Sequence, residues 1–368
     1  MVDVRTLPAD LVKIEDFSLP LSYEGVTPDL LTRLLQGVAP GLVVESLAIS
    51  NVTEGTGSRA RLTLDYNSAG VNTGLPRTMW LKSWFNELRS RHLTAGSIIG
   101  EIVYYRFAER LPVRNVGAYY SGIDASGQGL VLMGDMHALK GQFLDANTPL
   151  DLQQVRDALD QLARLHGAYW GLESPAPGAL WPELANGGRL GDLIRNETIA
   201  RLAQTMRQPH LEGKIPPELL VEGVYENAMT RLLDLTSEGP HCLIHFDPHL
   251  ANLALDAEGR LMLMDWQFFR MGSWSHDVSY LIGGSLTPEN RRAWERDLIK
   301  YYLDQLAAHG GCPPSFDDAW MRHAAGQAYG ACAWINTRLA MQTTHTIYTM
   351  LSRHLEAMRD LGTLELLS

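Results

Sequence analysis

Apolar positions recur at two periods along the chain, and the change from one to the other divides it. Thr27-Pro28-Asp29 followed by Leu30, Leu31, Leu34 and Leu35 predicts a helix with Thr27 as its cap, ended between Gly37 and Gly41. Alternation then predicts three strands over 42–51, 60–66 and 78–82, the first two joined by Glu54-Gly55-Thr56-Gly57-Ser58. A helix over 97–111 stops at Pro112, a strand follows over 116–120, and the apolar run 129–133 leads into Gly134-Asp135-Met136. Residues 1–25 show no period and read as an extended arm, with Phe17 and Leu19 able to dock.

Beyond residue 137 the helical period dominates. Thr148-Pro149-Leu150-Asp151 has the form of a capping-box start, with Leu152, Val155, Leu159, Leu162 and His166 along one face. Residues 171–190, rich in Pro, Gly and Trp, predict an irregular connection, and helices follow over 192–206, 217–235, 288–309 and within 316–361. One interruption stands out: two short apolar segments, 253–255 and 261–264, flank the turn Asp256-Ala257-Glu258-Gly259 and predict a hairpin. A strand-rich first part and a helix-rich second part make an α+β chain, divided into 1–136 and 137–368.

Length and charge narrow the function. At 368 residues the chain is too long for one small core. Its 31 basic against 42 acidic side chains, a net charge of −11, disfavour nucleic acid or an anionic membrane as the main partner. No apolar run is long enough to span a bilayer, the first residues lack the basic-then-apolar order of a signal peptide, and three scattered cysteines (Cys242, Cys312, Cys332) fit neither a disulfide frame nor a zinc site. A cytoplasmic location is expected. Neither a G-x-x-x-x-G-K-[ST] loop nor an H-E-x-x-H zinc motif is present.

The chemistry concentrates in His245-Phe246-Asp247-Pro248-His249-Leu250-Ala251-Asn252 and in Asp265 beyond the hairpin. An Asp, an Asn five residues later and a second Asp after two short strands stand in the order of a phosphoryl-transfer centre. One carboxylate takes a hydroxyl proton, and the amide and the second carboxylate supply the hard oxygen ligands that divalent cations require. Here the stretch resembles the aminoglycoside/choline kinase-like phosphotransferases, whose motif reads H-G-D-x-H-x-x-N. Phe246 replaces the usual Gly. Asp265-Trp266-Gln267, with Asp277 in D-V-S-Y-L-I, most resembles the ecdysteroid-kinase-like branch, over a span from about Val26 into the C-terminal helices.

That resemblance implies a two-lobed protein-kinase-like fold, with an antiparallel sheet in a small N-terminal nucleotide-binding lobe and a larger, mainly helical C-terminal lobe. It implies ATP and Mg2+ as cofactors and a small-molecule alcohol as substrate. Asp247 is the expected base, Asn252 and Asp265 the magnesium ligands, and His245 a residue ordering the loop. Lys82, at the end of a strand, is expected to pair with nucleotide phosphates and to be held by Glu101 rather than Glu87. Gly55, Gly57 and Ser58 would cover those phosphates, and Met133, Asp135 and Met136 would form the hinge beside the adenine. His166 reads as a core histidine and Asp277 as a brace for the catalytic loop.

Two other classes compete with this one. A nucleotide-binding pseudokinase is made conceivable by Phe246. A protein kinase is disfavoured by H-x-D in place of H-R-D and by the lack of an A-P-E segment. For the acceptor, residues 319–355 hold no Asp or Glu but Trp320, Met321, Tyr329, Trp334, Met341, Tyr348 and Met350. A polycationic aminoglycoside would need carboxylates there, so a neutral, largely apolar alcohol is expected over an aminoglycoside or choline-like cation. Trp334 and Arg338 are the candidate pocket residues.

Overall fold

A computed structural model describes residues 14–55, 57–85, 95–172 and 194–368, with the backbone alone for 95–98. Residues 1–13 of the arm, Thr56, Glu87, most of the 171–190 connection and the start of the helix expected at 192 lie outside the described residues. The chain divides into two compact units, one formed by residues 1–111 and 115–142 and the other by 112–114 and 143–368.

The first unit is built on a six-stranded sheet. Its strands are β1 (Ile14–Glu15), β2 (Val44–Glu54), β3 (Ser58–Tyr66), β4 (Thr78–Ser83), β5 (Ala118–Asp124) and β6 (Gly129–Gly134), in the spatial order β1-β5-β6-β4-β3-β2. All neighbours pair antiparallel except β1, which runs parallel to β5. The described end of the arm is docked: Ile14 and Glu15 join the sheet, and the Leu19 N–H donates to Asp124 Oδ2 at 2.8 Å. Period-two burial puts Leu62, Leu64 and Met79, Leu81 inward, in one core with Leu31, Leu34 and Leu35 of the Pro28–Leu35 helix. Thr27 caps that helix, accepting from the Leu30 N–H at 3.2 Å.

In the second unit, helices Leu152–Ala168, Val224–Ser237, Trp274–Ser285, Pro288–Ala308, Phe316–Asn336 and Thr344–Asp360 pack together, with small antiparallel pairs carried on them. Asp151, not Thr148, caps the first of these. Its carboxylate accepts from the Gln154 N–H while Gln154 Oε1 accepts from the Asp151 N–H, so the box spans 151–154. The segments expected as plain helices over 192–206 and 217–235 are broken. Ile194–Ile199 winds as a π-turn before Leu202–Met206, and Pro217–Leu220 is a 3-10 turn separated from Val224–Ser237 by Gly223 at φ 77°. Helices Trp274–Ser285 and Phe316–Asn336 approach closely through glycine: a Cβ at Gly326 would lie 2.5 Å from the Ser279 side chain.

Candidate active site

The hairpin forms as expected. Leu253–Leu255 pairs antiparallel with Leu261–Leu263, with Leu253 opposite Leu263 and the turn clasped by Asp256, whose carboxylate accepts from the Glu258 and Arg260 N–H groups. Its open end brings Asn252 and Met264 together, the Met264 N–H donating to the Asn252 carbonyl at 2.8 Å, so Asp265 begins where Asn252 ends. Asp265 then turns in the left-handed region, φ 62°, which an Asp tolerates better than most residues.

Between the strand Cys242–Ile244 and this hairpin runs the candidate catalytic loop, residues 245–252. Asn252 Nδ2 donates to the Asp247 carbonyl at 2.9 Å and to its Oδ2 at 3.2 Å, which leaves Oδ1 as the amide atom suited to a cation. His249 Nε2 is 3.6 Å from the same Oδ2. Burial pushes the His249 imidazole down to about 4, so beside Asp247 it stands uncharged at neutral pH.

His245 is fully buried and touches backbone on two sides. Its Nε2–H donates to the Met264 carbonyl at 2.9 Å, and its Nδ1 accepts from the Asp247 N–H at 3.2 Å. The ring therefore ties the loop to the far hairpin strand and orders Asp247 without facing solvent. Below it lies Asp277, in the first turn of Trp274–Ser285 and fully buried. Its two oxygens accept the N–H groups of His245 and Phe246, both at 2.7 Å, and His166 Nε2 donates to it at 3.3 Å while Tyr302 hydrogen-bonds to His166 Nδ1 at 2.7 Å. Burial opposes its charge, yet the His166 bond and the neighbouring histidines hold the carboxyl below the usual range.

Phe246 adopts φ 75°. A phenylalanine here occupies the left-handed conformation that glycine takes freely. Its ring stacks on His276, centroids 4.0 Å apart and planes 13° off parallel, with Tyr329 edge-on at 5.4 Å and the Arg270 guanidinium 4.8 Å from its centroid. Neither His276 nor Arg270 was singled out by sequence. The only signal was their place between Asp265 and Asp277, and nothing in the local pattern says which way they turn.

In the first unit, Lys82 Nζ lies 2.6 Å from Glu101 Oε2, with side chains 3% and 1% exposed. Lys82 leaves β4, and Glu101 comes from the helix Ala95–Phe107. The glycine turn reaches the same lysine: a Cβ on Gly57 would sit 3.2 Å from Lys82 Cε. The Gly55 N–H closes that turn on the Gly57 carbonyl, and the Ser58 hydroxyl donates to Glu54 at 2.7 Å.

The remaining candidates fare unevenly. Asp135 is a clasp, its carboxylate taking Arg61 Nε at 2.7 Å, Trp80 Nε1 at 3.3 Å and the His137 N–H at 3.1 Å. Its carbonyl and that of Met136 accept from the Leu139 and Gly141 N–H groups, and Met133 Sδ accepts from the Tyr105 hydroxyl. Each of the three residues thus has a partner within the chain. Trp334 is buried and meets His249 edge-on at 5.3 Å, so it reaches the 245–252 loop. Arg338 lies just past the end of Phe316–Asn336 and is exposed.

Residues 108–310, more than half of the chain, match the model of the ecdysteroid kinase-like family. The chain belongs to the ecdysteroid kinase-like family. The match is narrower than the span expected from Val26: it takes in the catalytic loop, hairpin and Asp277, and leaves out Lys82 and Glu101. No curated protein matches the sequence. Among solved structures, this family member is similar to a protein of Ralstonia eutropha JMP134 assigned as an aminoglycoside phosphotransferase, with TM-score 0.56, 15% identity, and 92% of this chain and 98% of that one covered. It is similar to the choline kinase of Cryptosporidium parvum Iowa II, with TM-score 0.56, 11% identity and coverage of 92% and 98%. It is also similar to the ethanolamine kinase of Plasmodium vivax, with TM-score 0.50, 8% identity and coverage of 86% and 82%. At these identities the likeness is one of fold, the mixed α+β fold of small-molecule kinases.

Proposed function

We propose that this ecdysteroid kinase-like protein transfers the γ-phosphoryl group of ATP to a hydroxyl of a small molecule. The observation that carries the reading is the construction of the loop around Asp247: one buried carboxylate, Asp277, holds two successive N–H groups of it, and Asn252 grips both the carbonyl and the carboxylate of Asp247. In this reading residues 1–136 bind nucleotide, residues 137–368 bind the acceptor and carry the chemistry, and Asp247 takes or orients the hydroxyl proton.

Asn252 Oδ1 and the Asp265 carboxylate would hold magnesium. Oxygen donors of this kind suit it, and because Mg2+ keeps waters and phosphate oxygens as ligands, one or two protein groups suffice. When bound, the ion neutralises charge on the phosphates. Lys82, kept in place by Glu101, gives the phosphates a fixed cation, and Gly55, Gly57 and Ser58 supply the turn beside it. The backbone of 133–136 borders the base. Among the described residues no helix is long and apolar enough to cross a membrane, and a cytoplasmic enzyme is the simplest setting for ATP.

For the acceptor, a neutral and largely apolar alcohol fits best. Trp334 and Tyr329 stand near the loop, burial keeps His249 and His276 uncharged at neutral pH, and the arginines of the 319–355 segment are engaged or exposed: Arg322 with Asp318, Arg353 with the Gly284 and Asn147 carbonyls, Arg338 in solvent. One carboxylate from outside that segment does approach it, since Glu226 acts electrostatically on Cys332 and its Oε2 is buried without a hydrogen bond. An amino alcohol is therefore the competitor to test. ATP consumption measured side by side with sterol-like and terpenoid-like alcohols, choline, ethanolamine and aminoglycosides decides between them. Turnover with the hydrophobic alcohols supports this assignment, and turnover only with the cationic compounds overturns it.

A further inference from the structure

Two histidines hold opposite ends of one peptide unit. The carbonyl of Phe246 and the N–H of Asp247 belong to the same planar group. His276 Nε2–H donates to that carbonyl at 2.9 Å, and His245 Nδ1 accepts that N–H at 3.2 Å. The plane is thus clamped from both sides immediately before the Asp247 side chain. It needs clamping, because Phe246 at φ 75° carries a Cβ in a region that repels one, and relaxation of φ or ψ there would swing the following residue.

His276 does more than accept the strain. Its ring lies flat against the Phe246 ring at 4.0 Å, and Tyr329 packs on His276 at 4.2 Å, so one imidazole grips both the side chain and the carbonyl of the strained residue. Its neighbour Asp277 takes the Phe246 N–H. Both come from the first turn of Trp274–Ser285, and that helix therefore fixes every polar backbone atom of Phe246.

We propose that His276 is a positioning residue: it locks the 246–247 peptide unit and thereby aims the Asp247 carboxylate. The proposal rests on the reading of Asp247 as proton acceptor. It does not require His276 to touch the substrate.

The test separates the hydrogen bond from the ring. His276→Phe keeps a flat ring against Phe246 and removes the donor, and His276→Gln keeps an N–H at a comparable reach and removes the ring. With Mg·ATP and either water or the best hydroxyl compound as acceptor, His276→Phe should lose at least tenfold in kcat with KM for Mg·ATP within about twofold, and His276→Gln should recover most of that loss. Wild-type kcat in His276→Phe, or a Gln variant no better than Phe, overturns the lock. A readout without turnover keeps the two readings apart. Hydrogen exchange of the Asp247 amide should quicken at least tenfold in His276→Phe, and unchanged exchange overturns the lock even if the wild-type protein transfers no phosphoryl group, a result that would remove the kinase reading instead.

Discussion

Phe246 looks disqualifying in sequence, and its backbone in the structure is left-handed at φ 75°. A bulky side chain where the motif it resembles has glycine is the feature that makes a pseudokinase conceivable. Its ring packs on His276, Tyr329 and Arg270. Phe246→Gly gives up those contacts but relieves the backbone, whereas Phe246→Ala gives them up and keeps a Cβ at positive φ. Urea unfolding should therefore find the Gly variant more stable than the Ala variant by about 1 kcal/mol, and its turnover within about tenfold of wild type. An Ala variant as stable as the Gly variant would mean that the residue is unstrained. At the same scale, Asp265→Ala should weaken Mg·ATP binding and leave metal-free nucleotide binding nearly unchanged, which calorimetry with and without Mg2+ would read. Unchanged Mg·ATP affinity would place the metal site elsewhere.

At the scale of elements, the loop, the hairpin and the helix Trp274–Ser285 act as one device joined at Asp277. Removing that carboxylate leaves the His245 and Phe246 N–H groups buried without acceptors and His166 without its partner, so Asp277→Ala should cost about 3–5 kcal/mol and most of the turnover. Denaturant melts together with rates would check it, and a loss below about 1 kcal/mol would show that the buried bonds are replaceable. Much of this device was legible. The spacing from His245 to Asp265 is local, and a two-period pattern with a Gly-containing turn is enough to predict the hairpin. What escaped depends on distance or on dihedral angle. The parallel docking of Ile14–Glu15 on Ala118–Asp124 joins segments about a hundred residues apart, and the His276 bond joins residues thirty apart. Asp151 replaces Thr148 as cap because the chain turns helical three residues later than the first suitable side chain.

For the molecule as a whole, buried histidines tie stability to pH. His249 and His276 are held down to about 4 and His354 to about 3, in each case mainly by burial, against 6.5 for an ordinary imidazole. Below about 6.5 the unfolded chain takes up protons that the folded chain refuses, so stability falls as pH drops from about 6.5 toward 4, by up to about 3 kcal/mol for each histidine. Melting temperatures should decline across that window and stay flat above pH 7, and His354→Gln, if folded, should make the decline shallower. A melting temperature unchanged between pH 7 and 5 would show that these imidazoles are not shielded from protons. Family membership places the chain in a small-molecule kinase-like family, and the separate role proposed for Asp247 is what turns that placement into a mechanism. The direct measurement is the rate of phosphate-ester formation from Mg·ATP on a hydroxyl acceptor, followed by phosphorus NMR for wild type and Asp247→Ala with nucleotide binding measured in parallel. Ester formation that falls by roughly 10² to 10⁴ while nucleotide still binds is the predicted result, and an Asp247→Ala variant that forms ester at the wild-type rate would contradict it.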